Sequence, residues 1–239
     1  MSKFLFAMPF AFGVCCFATA AMADDWVAQK LRGEAFVMND GAWVQIKRGD
    51  IVSNSAAVRT MSDGQVEFVR DHETITLGPD TQIQIFDRSG QRYTTVKEAF
   101  GSVRVEANVE NVKHFSVQTP YLAATVKGTI FTVTSDRRSS EVQVQRGKVG
   151  VDDVHHGLHV DVLPGQSASA GRAQVLRITG SGKHAPVVNA AGEPVIDPKA
   201  INNDPNNKNN GKNGNGNNGN GNGNGNNGNG NGNGNGNGN

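Results

Sequence analysis

Three stretches carry side chains that could do chemistry. The densest is DDVHHGLHVD (152–161), which puts His155, His156 and His159 among Asp152, Asp153 and Asp161. Neutral imidazoles with carboxylates nearby suit a divalent zinc- or copper-like ion. His159 and Asp161 share one face of a strand, however, while His155 and His156 flank a turn at Gly157, so convergence is not assured by spacing. A solvated polar hairpin tip is the preferred reading, and a metal set of His155, His156 and His159 the lesser one. Asp152 and Asp153 point to opposite faces if they lie in a strand, which is poor geometry for shared acid–base work.

The second stretch is TVKGTIFTV (125–133), where Lys127, Gly128 and Thr129 interrupt an otherwise continuous β pattern. No Gly-x4-Gly-Lys-Ser/Thr pattern occurs and no helix is predicted after it, so it is not a phosphate loop. Glycine admits backbone angles closed to other residues, and a bulge or tight corner explains the interruption. Lys127 at this turn is a candidate partner contact, as is Tyr121 beside Pro120. The third stretch, GQSAS (165–169), lacks the last glycine of a nucleophile elbow and has no helix to feed. No catalytic residue and no cofactor is expected, and the chain is read as a non-enzyme.

The elements that must position these residues are strands. VQIK, QVEFVR, TITL, QIQIFD, SVRVEA, FSVQ, EVQVQR and LHVDVL all alternate apolar and polar residues, separated by Asp-Gly, Gly-Pro-Asp, Ser-Gly or Arg-Gly. Alternation buries one face of each strand, and the turn signals between them predict an all-β domain. Uneven spacing of the glycine turns fits a solenoid or roll of short strands in two facing sheets, with a β-sandwich as the alternative. DWVAQKLRG (25–33) is as well read as the run-in to the first strand as a helix. Trp26, Trp43, Phe68, Phe86, Phe115 and Phe131 are core candidates.

The ends differ from the middle. Residues 1–23 combine Lys3, an apolar run and the triplet Ala21, Met22, Ala23, the pattern of a secretory signal cut after Ala23. Both cysteines, Cys15 and Cys16, lie in this segment, so the mature fold is expected to stand without disulfides. Residues 24–179 are expected to form the domain, 180–201 a Pro- and Gly-punctuated linker, and 202–239, almost all asparagine and glycine, a disordered tail. The whole chain has 23 basic and 22 acidic residues. That balance offers no electrostatic footprint for nucleic acid.

In order along the chain, SAAVRT, SDGQVEFV, TLGPDTQIQI, FSVQTP, ATVKGTIFTV, EVQVQRGKVGV and LPGQ together resemble the FecR-type domain over 56–166. That is the periplasmic module of regulators that control extracytoplasmic sigma factors during iron uptake. Lys127 stands where the family more often has arginine, which exchanges a planar hydrogen-bonding fork for a flexible ammonium. A full regulator carries a cytoplasmic segment and a membrane helix, whereas the signal read here predicts a standalone extracytoplasmic domain with no membrane span after cleavage. The resemblance implies a periplasmic, secreted or cell-surface binding and signalling module. Its partner would be an envelope or membrane protein, met through an exposed strand edge. The alternative is a structural or adhesive surface protein displayed through the Asn/Gly tail. The oligomeric state is left open.

Overall fold

The structure is a computed structural model that describes residues 25–88, 93–109 and 112–196. The expected signal, the Asn/Gly tail and the end of the expected linker lie outside the described residues. Within them every regular element is a strand, as alternation requires, and the strands make two hydrogen-bonded sheets. β1 (Trp26–Arg32) lies in sheet I. β2 (Ala35–Asn39) and β3 (Ala42–Gln45) form a hairpin in sheet II. β4 (Ile51–Val52) returns to sheet I beside β1, and β5 (Ala57–Thr60) goes back to sheet II. β6 (Gln65–Arg70) and β7 (Glu73–Leu77) are a sheet I hairpin, and β8 (Gln82–Asp87) is in sheet II.

β9 (Thr94–Glu106) belongs to both sheets. Its first half pairs with β8 in sheet II, and its second half, from Gly101 on, lies in sheet I beside β7. β10 (Phe115–Gln118) then runs parallel to the first half of β9, with Phe115 opposite Thr94; every other pairing is antiparallel. From there hairpins change sheets in turn. β10 pairs with β11 (Leu122–Val126) in sheet II, and β12 (Ile130–Ser135) with β13 (Ser139–Arg146) in sheet I. β14 (Val149–Asp153) and β15 (His159–Val162) follow in sheet II, then β16 (Gln166–Gly171) and β17 (Arg177–Gly180) in sheet I. The stretch whose composition suggests a linker instead adds a short hairpin, β18 (Val187–Val188) with β19 (Pro194–Ile196), docked on β15 in sheet II.

The inward-facing residues of both sheets form one apolar cluster. Trp26 of sheet I meets Phe115 of sheet II edge to face at 6.4 Å between ring centroids, which sets the sheets face to face. Trp26, Phe68, Phe115 and Phe131 are fully buried as expected, but Trp43 and Phe86 are only half-buried. Both are on the outer face of sheet II, each covered by a cation: Arg59 lies 4.2 Å from the Trp43 ring centre and Lys97 4.7 Å from that of Phe86.

At one end of the roll the two sheets are tied by a polar cluster. Arg70 donates to Glu73 at 2.8 Å and Thr94 at 2.6 Å, and to Asp87 at 2.7 Å, while its guanidinium covers the Trp26 ring. Burial works against the charge on Arg70, but the hydrogen bonds it donates to Glu73 and Asp87, with the negative charge of both carboxylates, outweigh it and raise its pKa above the ordinary value. His114 Nε2 lies 3.1 Å from Glu73 Oε1, which carries the cluster to the segment leading into β10.

Candidate functional site

The histidine stretch folds as the β14–β15 hairpin and its tip. Asp153 at the end of β14 is buried, and its Oδ1 accepts the backbone N–H groups of His155 at 2.9 Å and His156 at 3.1 Å. Its Oδ2 accepts from the Leu176 backbone N–H at 3.1 Å and lies 2.8 Å from His156 Nδ1. A short side chain that gathers several N–H groups is what closes an Asx-type turn. His159 is on the outer face, with Nδ1 2.7 Å from Asp152 of the neighbouring strand and Nε2 3.7 Å from Asp161. His155 packs on the Tyr121 ring at 5.8 Å.

The three imidazoles therefore do not converge. His156 turns to Asp153, His159 to Asp152 on the other face, and His155 to an aromatic ring. No group of three His, Cys, Asp or Glu that could hold a metal ion occurs among the described residues.

Tyr121 is also placed differently from its expected role as an exposed contact. It is 7% exposed, and its hydroxyl donates to the Arg137 carbonyl at the β12–β13 tip. Beside Pro120 the sequence suggests a solvated turn, but the hydroxyl finds a partner sixteen residues away and the ring is used for packing. Ser167 of GQSAS lies in β16, paired with Gln143 and Thr179.

Lys127 is exposed, and Lys127, Gly128 and Thr129 make the step from β11 in sheet II to β12 in sheet I. The register also shifts between Ile130 and Phe131 against β13, the bulge expected after the glycine. A Cβ at Gly128 would lie 2.4 Å from Val109 Cα and 2.9 Å from the Asn108 carbonyl oxygen. The next corner, at Gly147, packs on this one: a Cβ there would be 2.6 Å from the Gly128 carbonyl oxygen, and its φ of +83° suits glycine. Gly-Thr-x-Phe-x-Val and Arg-Gly-x-Val are thus two halves of one stacked corner.

These stacked corners carry Lys127 and Lys148 onto one rim. With Lys113 from the segment before β10 they wall a cavity of about 400 Å³ on the outer face of sheet II, lined also by Thr125, Gly150 and Asp161. A second cavity, of about 260 Å³, lies at the other end of the same sheet, where Gln84, Lys97 and Gln118 adjoin the β10–β11 turn. Neither the lysine rim nor the buried Glu98 next to that second cavity was signalled by sequence spacing, because the lysines are gathered only by the corners and Glu98 stands in an alternating run like any other.

Against known proteins, residues 56–150 match the family described as FecR protein. Two solved structures of a candidate anti-sigma factor from Parabacteroides distasonis ATCC 8503 align with TM-scores of 0.47 and 17% identity. Each alignment covers 52% of this chain and 59% of the other, so the chain spans under two thirds of that protein's length. No functionally curated protein matches. The matched span runs from just before β5 to the first residues of β14 and contains β9, the polar cluster at Arg70 and the Gly128 corner; it is over residues 56–150 that this chain is similar to the FecR family.

Proposed function

We propose that the chain is a non-catalytic extracytoplasmic signalling module of FecR type that recognises an envelope protein by adding a partner's strand to its sheet. The family match and the balanced charge support a protein partner over a nucleic acid. The observation that carries the reading is the edge at β3. Among the described residues β3 pairs only with β2, and β4 only with β1. Val44 of β3 stands opposite Val37, which packs on the core, and is still 48% exposed; Ile51 of β4 is 57% exposed. A strand with one open edge and a half-exposed inward-facing valine is a template for another chain, with backbone hydrogen bonds for affinity and the apolar position for selection. In this reading residues 1–23 direct export and are removed, which leaves the domain in the periplasm or at the cell surface.

A photoreactive side chain at position 44, in the chain expressed in its own envelope, is expected to give a discrete adduct. The same group at position 143, on the polar outer face of sheet I, should give none. Equal labelling from both positions, or none from 44, rejects the edge as the recognition surface.

A further inference from the structure

The outer face of sheet II has a feature that strand-edge recognition does not use. Thr125, Gly150 and Asp161 are cross-strand partners on β11, β14 and β15 and form one row. Lys113, Lys127 and Lys148 rise around this row and, with Val109, enclose the cavity of about 400 Å³. Asp161 Oδ2 holds Lys148 Nζ at 2.9 Å. Lys113 and Lys127 are exposed and make no ion pair with any described residue. The described lining thus holds three ammonium groups against one carboxylate, in a chain whose 23 basic and 22 acidic residues otherwise nearly cancel.

The floor is as telling as the walls. Gly150 sits inside a strand, paired on both sides and away from any turn. A glycine there weakens the strand and marks a close approach of backbone to something else. A Cβ at this position would stand 3.2 Å from His159 Cε1 and 3.8 Å from Asp161 Oδ1, narrowing the cavity from below. Thr125 beside it is half-buried and brings a hydroxyl to the same floor.

We propose that this groove binds a phosphate-bearing anion, a mono- or diester carrying a group of about sugar size. One lysine satisfies a lone carboxylate; several ammonium groups around a single volume, with a hydroxyl donor below, suit the oxygens of a phosphate. The volume falls in the range of small-ligand sites. Such a phosphate ester exists both as a soluble metabolite and as a lipid headgroup, and two probes separate these sources: ribose 5-phosphate in solution, and phosphatidylglycerol in phosphatidylcholine vesicles.

Calorimetry with ribose 5-phosphate and flotation with the vesicles are run on the full chain. Binding is expected in at least one arm, weakening with added salt. In Lys113→Glu with Lys127→Glu the dissociation constant should rise by roughly a hundredfold, since each charge-assisted contact is worth about tenfold or more. Both positions are exposed and form no ion pair with a described residue, so the fold is retained, and Lys113→Arg with Lys127→Arg should keep binding. Binding of ribose 5-phosphate identifies a soluble ligand; binding of vesicles alone identifies a headgroup. The proposal is overturned if neither probe binds, if the double charge reversal binds as the parent does, or if Lys97→Glu, elsewhere on sheet II, weakens binding as much.

Discussion

Glu98 is the residue that most violates the chemistry around it. It continues the inward row of sheet II through Val58 and Ile83, is 2% exposed, and neither carboxylate oxygen has a hydrogen-bond partner. Burial alone raises its pKa to about 9. At neutral pH the folded chain therefore keeps a proton that the unfolded chain gives up. Because the folded pKa is the higher one, the stabilising proton is fully bound in both states below the ordinary carboxylate range. Its contribution is lost as pH rises from about 4.5 toward about 9, at a slope of up to about 1.4 kcal/mol per pH unit. Glu98→Gln removes this titration without changing size. Its urea-denaturation stability should match the parent near the acid end of the window and exceed it increasingly toward the alkaline end. Parallel curves across the window would reject the assignment. Arg70 is the opposite case: equally hidden from inspection of the sequence, but with Glu73, Asp87 and Thr94 all bonded to it, so its charge is kept.

At the scale of elements, the corners decide the fold. Alternation is legible at once: QIQIFD is β8, FSVQ is β10 and QVEFVR is β6, because a two-residue period is a local property of the chain. The reading of Lys127, Gly128 and Thr129 as a turning device is legible for the same reason, from one glycine in an apolar run. What it touches is not, since Val109 and Gly147 come from distant segments. The same limit hid the burial of Tyr121 and the lysine rim. Gly147 and Gly41 separate the two costs of a corner. Both have positive φ, +83° and +81°, but a Cβ at Gly41 meets nothing within 4 Å, whereas one at Gly147 meets the Gly128 carbonyl oxygen at 2.6 Å. Gly41→Ala should lose about 1 kcal/mol from backbone conformation alone. Gly147→Ala should lose roughly 1–3 kcal/mol more, because the Gly128 corner must move. It should also be non-additive with Gly128→Ala, which displaces the same corner. Chemical denaturation of the three single variants and of the Gly128→Ala, Gly147→Ala double variant reads this, and equal losses at 41 and 147 would show that the corners do not bear on each other.

At the scale of the molecule, β9 joins two halves of the roll that cross between the sheets mainly at opposite ends. Up to β9 the chain changes sheets near Gly33, at 46–50, 61–64, 78–81 and Gly101, with one crossing, 53–56, at the far end; after it, the changes come between β9 and β10 and at 127–129, 147–148, 163–165 and 181–186. Register sets these at opposite ends of sheet II: Phe100 is opposite Gln82 at one end, and Phe115 is opposite Thr94 and Val126 at the other. No local pattern announces this reversal, because a thirteen-residue alternating strand reads the same whether it serves one sheet or two. It has an energetic consequence. The halves share one apolar cluster, are crossed by the Trp26–Phe115 contact, and are stitched by β12 lying against the second half of β9. Neither half can open without exposing the other's core, so the roll should unfold as one cooperative unit despite its repetitive build. Hydrogen exchange in increasing denaturant should bring the amides of β6 and β7 and those of β13 and β16 onto a common opening isotherm. Phe115→Ala, at the joint, should lower both sets together by about 3–5 kcal/mol. If the β13–β16 amides open at lower denaturant while β6–β7 stay protected, β9 is a hinge between independent units, and a partner strand added at β3 could not be felt at the far end of the roll.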